Sequence, residues 1–223
     1  MLRRLPKARP IARSAGVAAT LPPLASVPPP KPRRTLDFDI ENRPLSYWFD
    51  GRCTAEVTAI AWRWVGVTNE ATRCYLLGSH TAEEMLLAFK AAYDEADIVT
   101  GHFIRRHDLP IVNGALIEHG LPQLGSKLTS DTKIDLVRFS DLAKSQEALG
   151  AMLGIDAPKI QMTQSDWREG NRLTPAGIMR TRARVVGDVE QHVQLRAALI
   201  ERDMLGAPRW WHPSTLRRRA VTG

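Results

Sequence analysis

From residue 35 onward the chain switches between two hydrophobic periods. Leu36, Phe38 and Ile40 alternate with Asp37, Asp39 and Glu41, the period of two that marks a strand with one packed face. "NRPLSYWFDGR" (42–52) follows as a loop rich in turn-forming residues. "AEVTAIAWRWVGV" (55–67) and "TRCYLL" (72–77) alternate in part and predict two further strands. Thr81 with Glu84 three residues on forms a capping box, predicting a helix through about Asp94. "ADIVTGH" (96–102) reads as a short apolar strand, and 108–119 as a helix ended by Gly120 and Pro122. "SKLTSDT" (126–132) predicts one more short strand, and 145–154 a helix stopped by glycine. Thr174 before Pro175 supplies an N-cap and a first-turn proline for a long helix to about Leu205. Three strands, a helix, a strand and then mostly helices predict an α/β domain, a central mixed sheet covered by helices.

Composition changes this picture at the ends. Residues 1–34 hold eight Lys/Arg and no acid, and "LPPL" and "VPPPKPRR" leave too little apolar surface to fold. They predict a disordered basic arm, the prolines opposing the amphipathic helix of an import signal. Residues 206–223 form a second basic segment with four Arg and no acid. The domain between them, 35–205, carries 19 basic against 24 acidic residues, although the whole chain is +7. An acidic body with basic arms suggests a polyanionic partner. Two cysteines without a CxxC pair fit neither a zinc ribbon nor a disulfide framework, so a reducing cytoplasm is expected. No apolar run reaches the roughly 18 to 20 residues of a membrane helix, so no membrane partner is expected.

The acids carry the chemistry. A buried carboxylate is costly unless something compensates its charge. Asp39 and Glu41 share one strand face, roughly 6 to 7 Å apart along the chain, and two such groups can hold a hard cation between them. Asp37 has the same parity and reads as an edge-of-site or solvated acid. Asp108 follows a strand and opens a helix, in "GHFIRRHDLP". Asp188 lies among Val185, Val186 and Val189 on the final helix, an acid on an apolar stripe. Asp131 and Asp135 read as a strand end and a helix start. Trp62 and Trp64 read as core, while Trp210 and Trp211 beside Arg209 either dock on the domain or stack on unpaired bases.

The order of these acids resembles a known family. With "FDIE", "GHFIRRHDLP" and "VVGDV", and with "DTKIDLVRF" and "LGAMLGI" between, residues 35–205 are similar to DnaQ-like (DEDD) 3′→5′ exonucleases of the RNase H-like fold, in particular the bacteriophage-encoded branch. The resemblance implies that Asp39, Glu41, Asp108 and Asp188 are the catalytic, metal-binding acids. It implies two Mg²⁺ or Mn²⁺ ions, roughly 3.5 to 4 Å apart, one activating a water and the other stabilising the leaving oxyanion. The sequence departs from the family in three places. Phe103 stands for the usual Asn and His107 for the aromatic before Asp108. Ala183 and Arg184 stand where a His or Tyr base belongs. His192, one turn after Asp188, is the candidate general base, and Phe103, His107 and Arg184 are candidate substrate contacts.

The expected activity is therefore metal-dependent hydrolysis at nucleic-acid 3′ ends, with single-stranded or frayed DNA as the first substrate and RNA open. Such an enzyme would serve phage DNA replication, repair or degradation. The competing expectation is a catalytically weakened DnaQ-like domain that binds strand ends in a replication assembly, its basic arms contacting other replication proteins.

Overall fold

A computed structural model describes residues 32–43, 55–155 and 160–213. The expectations for the basic arm before residue 32, the loop at 44–54 and the segment after 213 lie outside the described residues. Six strands form one sheet in the order β3-β2-β1-β4-β5-β6. They are β1 Thr35–Arg43, β2 Glu56–Trp64, β3 Arg73–Leu76, β4 Ile98–Gly101, β5 Lys127–Asp131 and β6 Arg209–Trp211. The first three make an antiparallel meander, whereas β1, β4 and β5 run parallel and β6 returns antiparallel to β5. The sheet is mixed, as the pattern predicts.

Strand parity separates two packed faces. Leu36, Phe38 and Ile40 join Ile60, Trp62 and Trp64 in the main core. There they meet Met85, Phe89 and Tyr93 of helix α1 (Ala82–Glu95) and Leu109, Val112 and Leu116 of helix α2 (Asp108–Glu118). On the other face Ala59, Ala61 and Leu76 pack against Val185 and Val189 of helix α5 (Pro175–Glu201). The acids of β1 belong to this second face. Asp39 is paired across the strands with Ala61, and Glu41 with Ala59. Small partners leave room beside each carboxylate for α5 to approach. The register shifts between Glu41 and Asn42, a bulge of the kind that re-aims a strand's side chains at a site.

The helix ends follow their local chemistry. Thr81 and Glu84 form the reciprocal capping box of α1. Ser145 caps helix α3 (Gln146–Leu153), which Gly154 ends at a φ of 67°. Thr174 caps α5 with proline in its first turn. That helix stops at Glu201, short of the expected Leu205, because Asp203 turns left-handed at a φ of 52° and the Met204 N–H bonds back to the Leu199 carbonyl.

Two elements were not expected. Helix α4 (Gln164–Asn171, "QSDWREGN") has no apolar stripe, and its sequence signal is the capping box of Thr163 with Asp166. Strand β6 draws Trp211 into the main core, while Trp210 stays 62% exposed beside His212. One tryptophan docks and the other does not. Among the described residues no helix is long and apolar enough to cross a membrane.

Helix α4 clamps the first turn of α5 by direct backbone approach. A Cβ placed on Gly177 would lie 2.2 Å from the carbonyl carbon and oxygen of Glu169 and 2.5 Å from the nitrogen of Gly170. Backbone atoms cannot swing away, so Gly177→Ala should destabilise the domain by about 2 kcal/mol. Urea unfolding checks this, and an unchanged midpoint would contradict it.

Candidate metal centre

At the carboxyl end of β1 one oxygen each from Asp39, Glu41 and Asp188 lies within 4.8 Å of the others. Two local rules bring them together. The strand period puts Asp39 and Glu41 on the α5 face. On the helix, Asp188 belongs to the buried row that runs Thr181, Val185, Asp188, His192, Leu195 and Leu199. Gln146 of α3 fixes that turn of α5, donating to the Asp188 carbonyl at 2.8 Å and to the Gln191 side chain at 3.1 Å.

Asp108 is buried beside this set but is not one of its members. Its carboxylate accepts from the N–H of Ile40, between Asp39 and Glu41 in the chain, at 3.3 Å. It does not cap its own helix, whose preceding residue, His107, also makes no side-chain cap. The His107 imidazole lies 3.4 Å from Asp108, with its side chain about half exposed. The hydrogen bond to Asp108, with the added charges of Asp108 and Glu41, raises the His107 pKa above its ordinary value against burial and Lys133, which lower it.

Arg184 sits inside the cluster. Its Nε is 3.0 Å from Asp188 and 3.3 Å from Glu41, and a second guanidinium nitrogen donates to the Ile160 carbonyl. Its side chain is only 12% exposed. It stands one helical turn before Asp188.

The structure gives Asp37 and His192 a different setting from the one their sequence suggests. Asp37 is neither solvated nor at the rim: it is fully buried. Both its carboxylate oxygens lie 2.8 Å from His192 Nδ1, which must donate because the carboxylate can only accept. The Thr132 hydroxyl lies 2.8 Å from His192 Nε2 and 3.0 Å from His102 Nδ1. His192 is thus buried with both ring nitrogens occupied, rather than turned partly to solvent as a residue awaiting a proton from water would be. The network ties β1, α5 and the ends of β4 and β5 together beneath the carboxylates.

Asp131 organises the loop that carries Phe103 and His107. One oxygen accepts from the N–H groups of Phe103, Lys133 and Ile134 at 3.0 to 3.1 Å, and the other from Arg105 at 2.9 Å. Burial still pushes its pKa up, opposed by the bonds from Ile134, Arg105 and Phe103. Asp135 opens a single 3₁₀ turn and pairs with Arg105 at 2.6 Å. Both acids lie where the sequence puts them, at a strand end and a helix start. Phe103 is held at a φ of 75°, rare for a residue with a side chain, and its ring lies under the Lys133 ammonium at 4.2 Å.

The donor set suits a hard divalent cation. Three converging carboxylates offer only oxygen, the ligand preferred by Mg²⁺, Mn²⁺ and Ca²⁺. The Arg184 guanidinium lies between two of them and sets one positive charge against the cluster.

No protein-family model matches the chain, and no curated protein matches its sequence. Among solved structures it is similar to the family B DNA polymerase from the hyperthermophilic archaeon Pyrobaculum calidifontis, with a TM-score of 0.59 at 16% identity. The match covers 77% of this chain and 25% of that one, so the chain corresponds to about a quarter of the polymerase. A likeness at this identity shows the fold: α/β, an RNase H-like mixed sheet with helices on both faces.

Removing the guanidinium leaves Glu41 and Asp188 facing each other without their shared cation. Arg184→Gln should cost the metal-free protein about 2 kcal/mol. Manganese should then raise the melting temperature further in the variant than in wild type, since no arginine has to leave. Equal manganese shifts in the two proteins, measured by scanning calorimetry, would mean that Arg184 and the ion do not share a place.

Proposed function

We propose that this domain is a metal-dependent 3′→5′ exonuclease, a DnaQ-like enzyme that hydrolyses phosphodiester bonds at nucleic-acid 3′ ends. The observation that carries this reading is the convergence of Asp39, Glu41 and Asp188 at the carboxyl end of β1. Asp108, bonded to the strand between the first two, completes the order of acids that the family resemblance implies. The fold likeness to a DNA polymerase supports a nucleic-acid substrate. Single-stranded or frayed DNA is the first candidate, and RNA the second.

Asp39, Glu41 and Asp188 would hold the divalent cation, Mg²⁺ or Mn²⁺, with Asp108 available to a second ion. The cation supplies positive charge for the phosphate and a lowered pKa for an attacking water. The chain's own residues provide position and charge. The alanines opposite Asp39 and Glu41 and the anchored turn of α5 fix where the carboxylates point. His107, at the helix start beside Asp108, is partly exposed and would be open to substrate. His192 does not serve as general base in this account; held by Asp37 and Thr132, it keeps α5 in register with β1.

A second reading has one specific observation in its favour. Arg184 occupies the charge centre of the site, and a domain in which it never yields to metal would bind strand ends without cutting them.

The two readings differ in one experiment. The 223-residue chain is mixed with a 5′-labelled single-stranded oligonucleotide and Mn²⁺, and the products are resolved by length. Stepwise shortening from the 3′ end is expected, lost in Asp39→Ala and in Asp188→Ala. Calcium should keep the oligonucleotide bound but stop the shortening, because its longer and looser coordination misplaces the reacting groups. Residual activity above about a tenth of wild type in either alanine variant would contradict the assignment, given that each removes a ligand. Binding with no shortening under any divalent cation would favour the second reading.

A further inference from the structure

Where the loops that follow β4 and β5 meet β6 lies a cavity of about 580 Å³. Phe103, Arg106, Lys133, Arg138, Lys144 and Arg209 line it, five cations around one aromatic ring. The acid in its wall, Asp135, is committed to Arg105 at 2.6 Å and accepts from the backbone of Asp131. Among the described residues none of the five cations is paired with a carboxylate. Arg138 donates to the Met204 carbonyl and Lys144 to the Leu142 carbonyl, contacts that orient their charged heads without cancelling the charge. This concentration is notable in a domain whose acids outnumber its bases.

The cavity and the metal centre lie at the same end of the sheet, the carboxyl ends of the parallel strands β1, β4 and β5. The loop that joins them runs from β4 to the start of α2, carrying Phe103 in the cavity wall and His107 at 3.4 Å from Asp108. Phe103 stands at the same junction. Its left-handed backbone is a strained conformation that persists only where surrounding bonds impose it, and the Asp131 carboxylate imposes it here. The strain turns the ring to the cavity and beneath Lys133.

We propose that this cavity is a phosphate-binding track for the nucleic-acid strand leading away from the metal centre. Its cations neutralise backbone phosphates upstream of the 3′-terminal nucleotide, and Phe103 offers a face on which a base stacks. Arg209 reaches it from β6, so the strand that extends the sheet also brings a cation to the track. The inference rests on the nucleic-acid reading above, and it assigns that reading a second contact surface outside the carboxylates.

The test is equilibrium binding of a fluorescein-labelled oligothymidylate to the full chain in Ca²⁺, by anisotropy, between about 50 and 200 mM KCl. Exposed Arg138 and Arg209 are replaced together, Arg138→Gln with Arg209→Gln. Arg73→Gln, on β3 at the opposite edge of the sheet, is the control. The double variant should bind about tenfold more weakly. Its plot of log affinity against log salt should flatten by about 1.4, two single-strand phosphate contacts at roughly 0.7 each. The control should match wild type. Wild-type affinity and slope in the double variant, or equal losses in the control, would overturn the track. So would displacement of the oligonucleotide by poly-glutamate as readily as by unlabelled oligothymidylate, which would assign the cavity to acidic peptides. The readout needs no turnover. Protein that binds through these arginines but never cuts would remove the exonuclease reading alone. Protein that cuts while the double variant binds normally would remove the track alone.

Discussion

Carboxylates gathered within a few ångströms repel one another, and the structure around β1 is organised to hold that repulsion in place. Asp39, Glu41 and Asp188 are drawn together by the strand's period of two and by the buried row of α5. Left alone they would push the helix off the sheet or take up protons. Alanines opposite the two strand acids let α5 come close, and Gln146 pins the turn that carries Asp188. The first turn of α5 is locked to α4 through Gly177. The Arg184 guanidinium sets a positive charge against Glu41 and Asp188. A cation binding here therefore competes with a side chain of the same sign already in place.

Beneath this charged layer runs a neutralised one. Asp37 is two residues before Asp39 and on the same face, yet it is satisfied by His192, and His192 by Thr132. The result is a division of labour among three acids of one strand. The innermost is spent on tying β1 to α5, and the outer two remain beside the open site. His192, one turn after Asp188, thereby holds the helix to the strand through bonds at both ring nitrogens.

Much of the fold was legible because local signals agreed with it. Alternation in 36–41, the capping box at Thr81 and Glu84 and the Thr174–Pro175 start each specify their element without help from distant residues. The site was legible in part: D-x-E on a strand and an acid among valines on a helix mark the three carboxylates that the fold brings within 4.8 Å of one another. What escaped depends on partners far away in the chain. Nothing local tells that Asp37 is buried, because its cover comes from His192, 155 residues on. Helix α4 has no apolar period to reveal it, being held by its cap and by contact with Gly177. Strand β6 is three residues long and owes its existence to pairing with β5 rather than to its own sequence. The role of Arg184 could not be read either, since an arginine on a long helix is ordinarily a solvated one.

The account turns on the claim that these carboxylates hold a divalent cation at the place Arg184 now fills. Anomalous diffraction at the manganese edge, from crystals of the wild-type protein soaked in Mn²⁺, addresses it directly. The account predicts an anomalous peak bounded by Asp39, Glu41 and Asp188, with the Arg184 guanidinium swung out of the cluster. A cluster without a peak, with Arg184 still bridging Glu41 and Asp188, would contradict it.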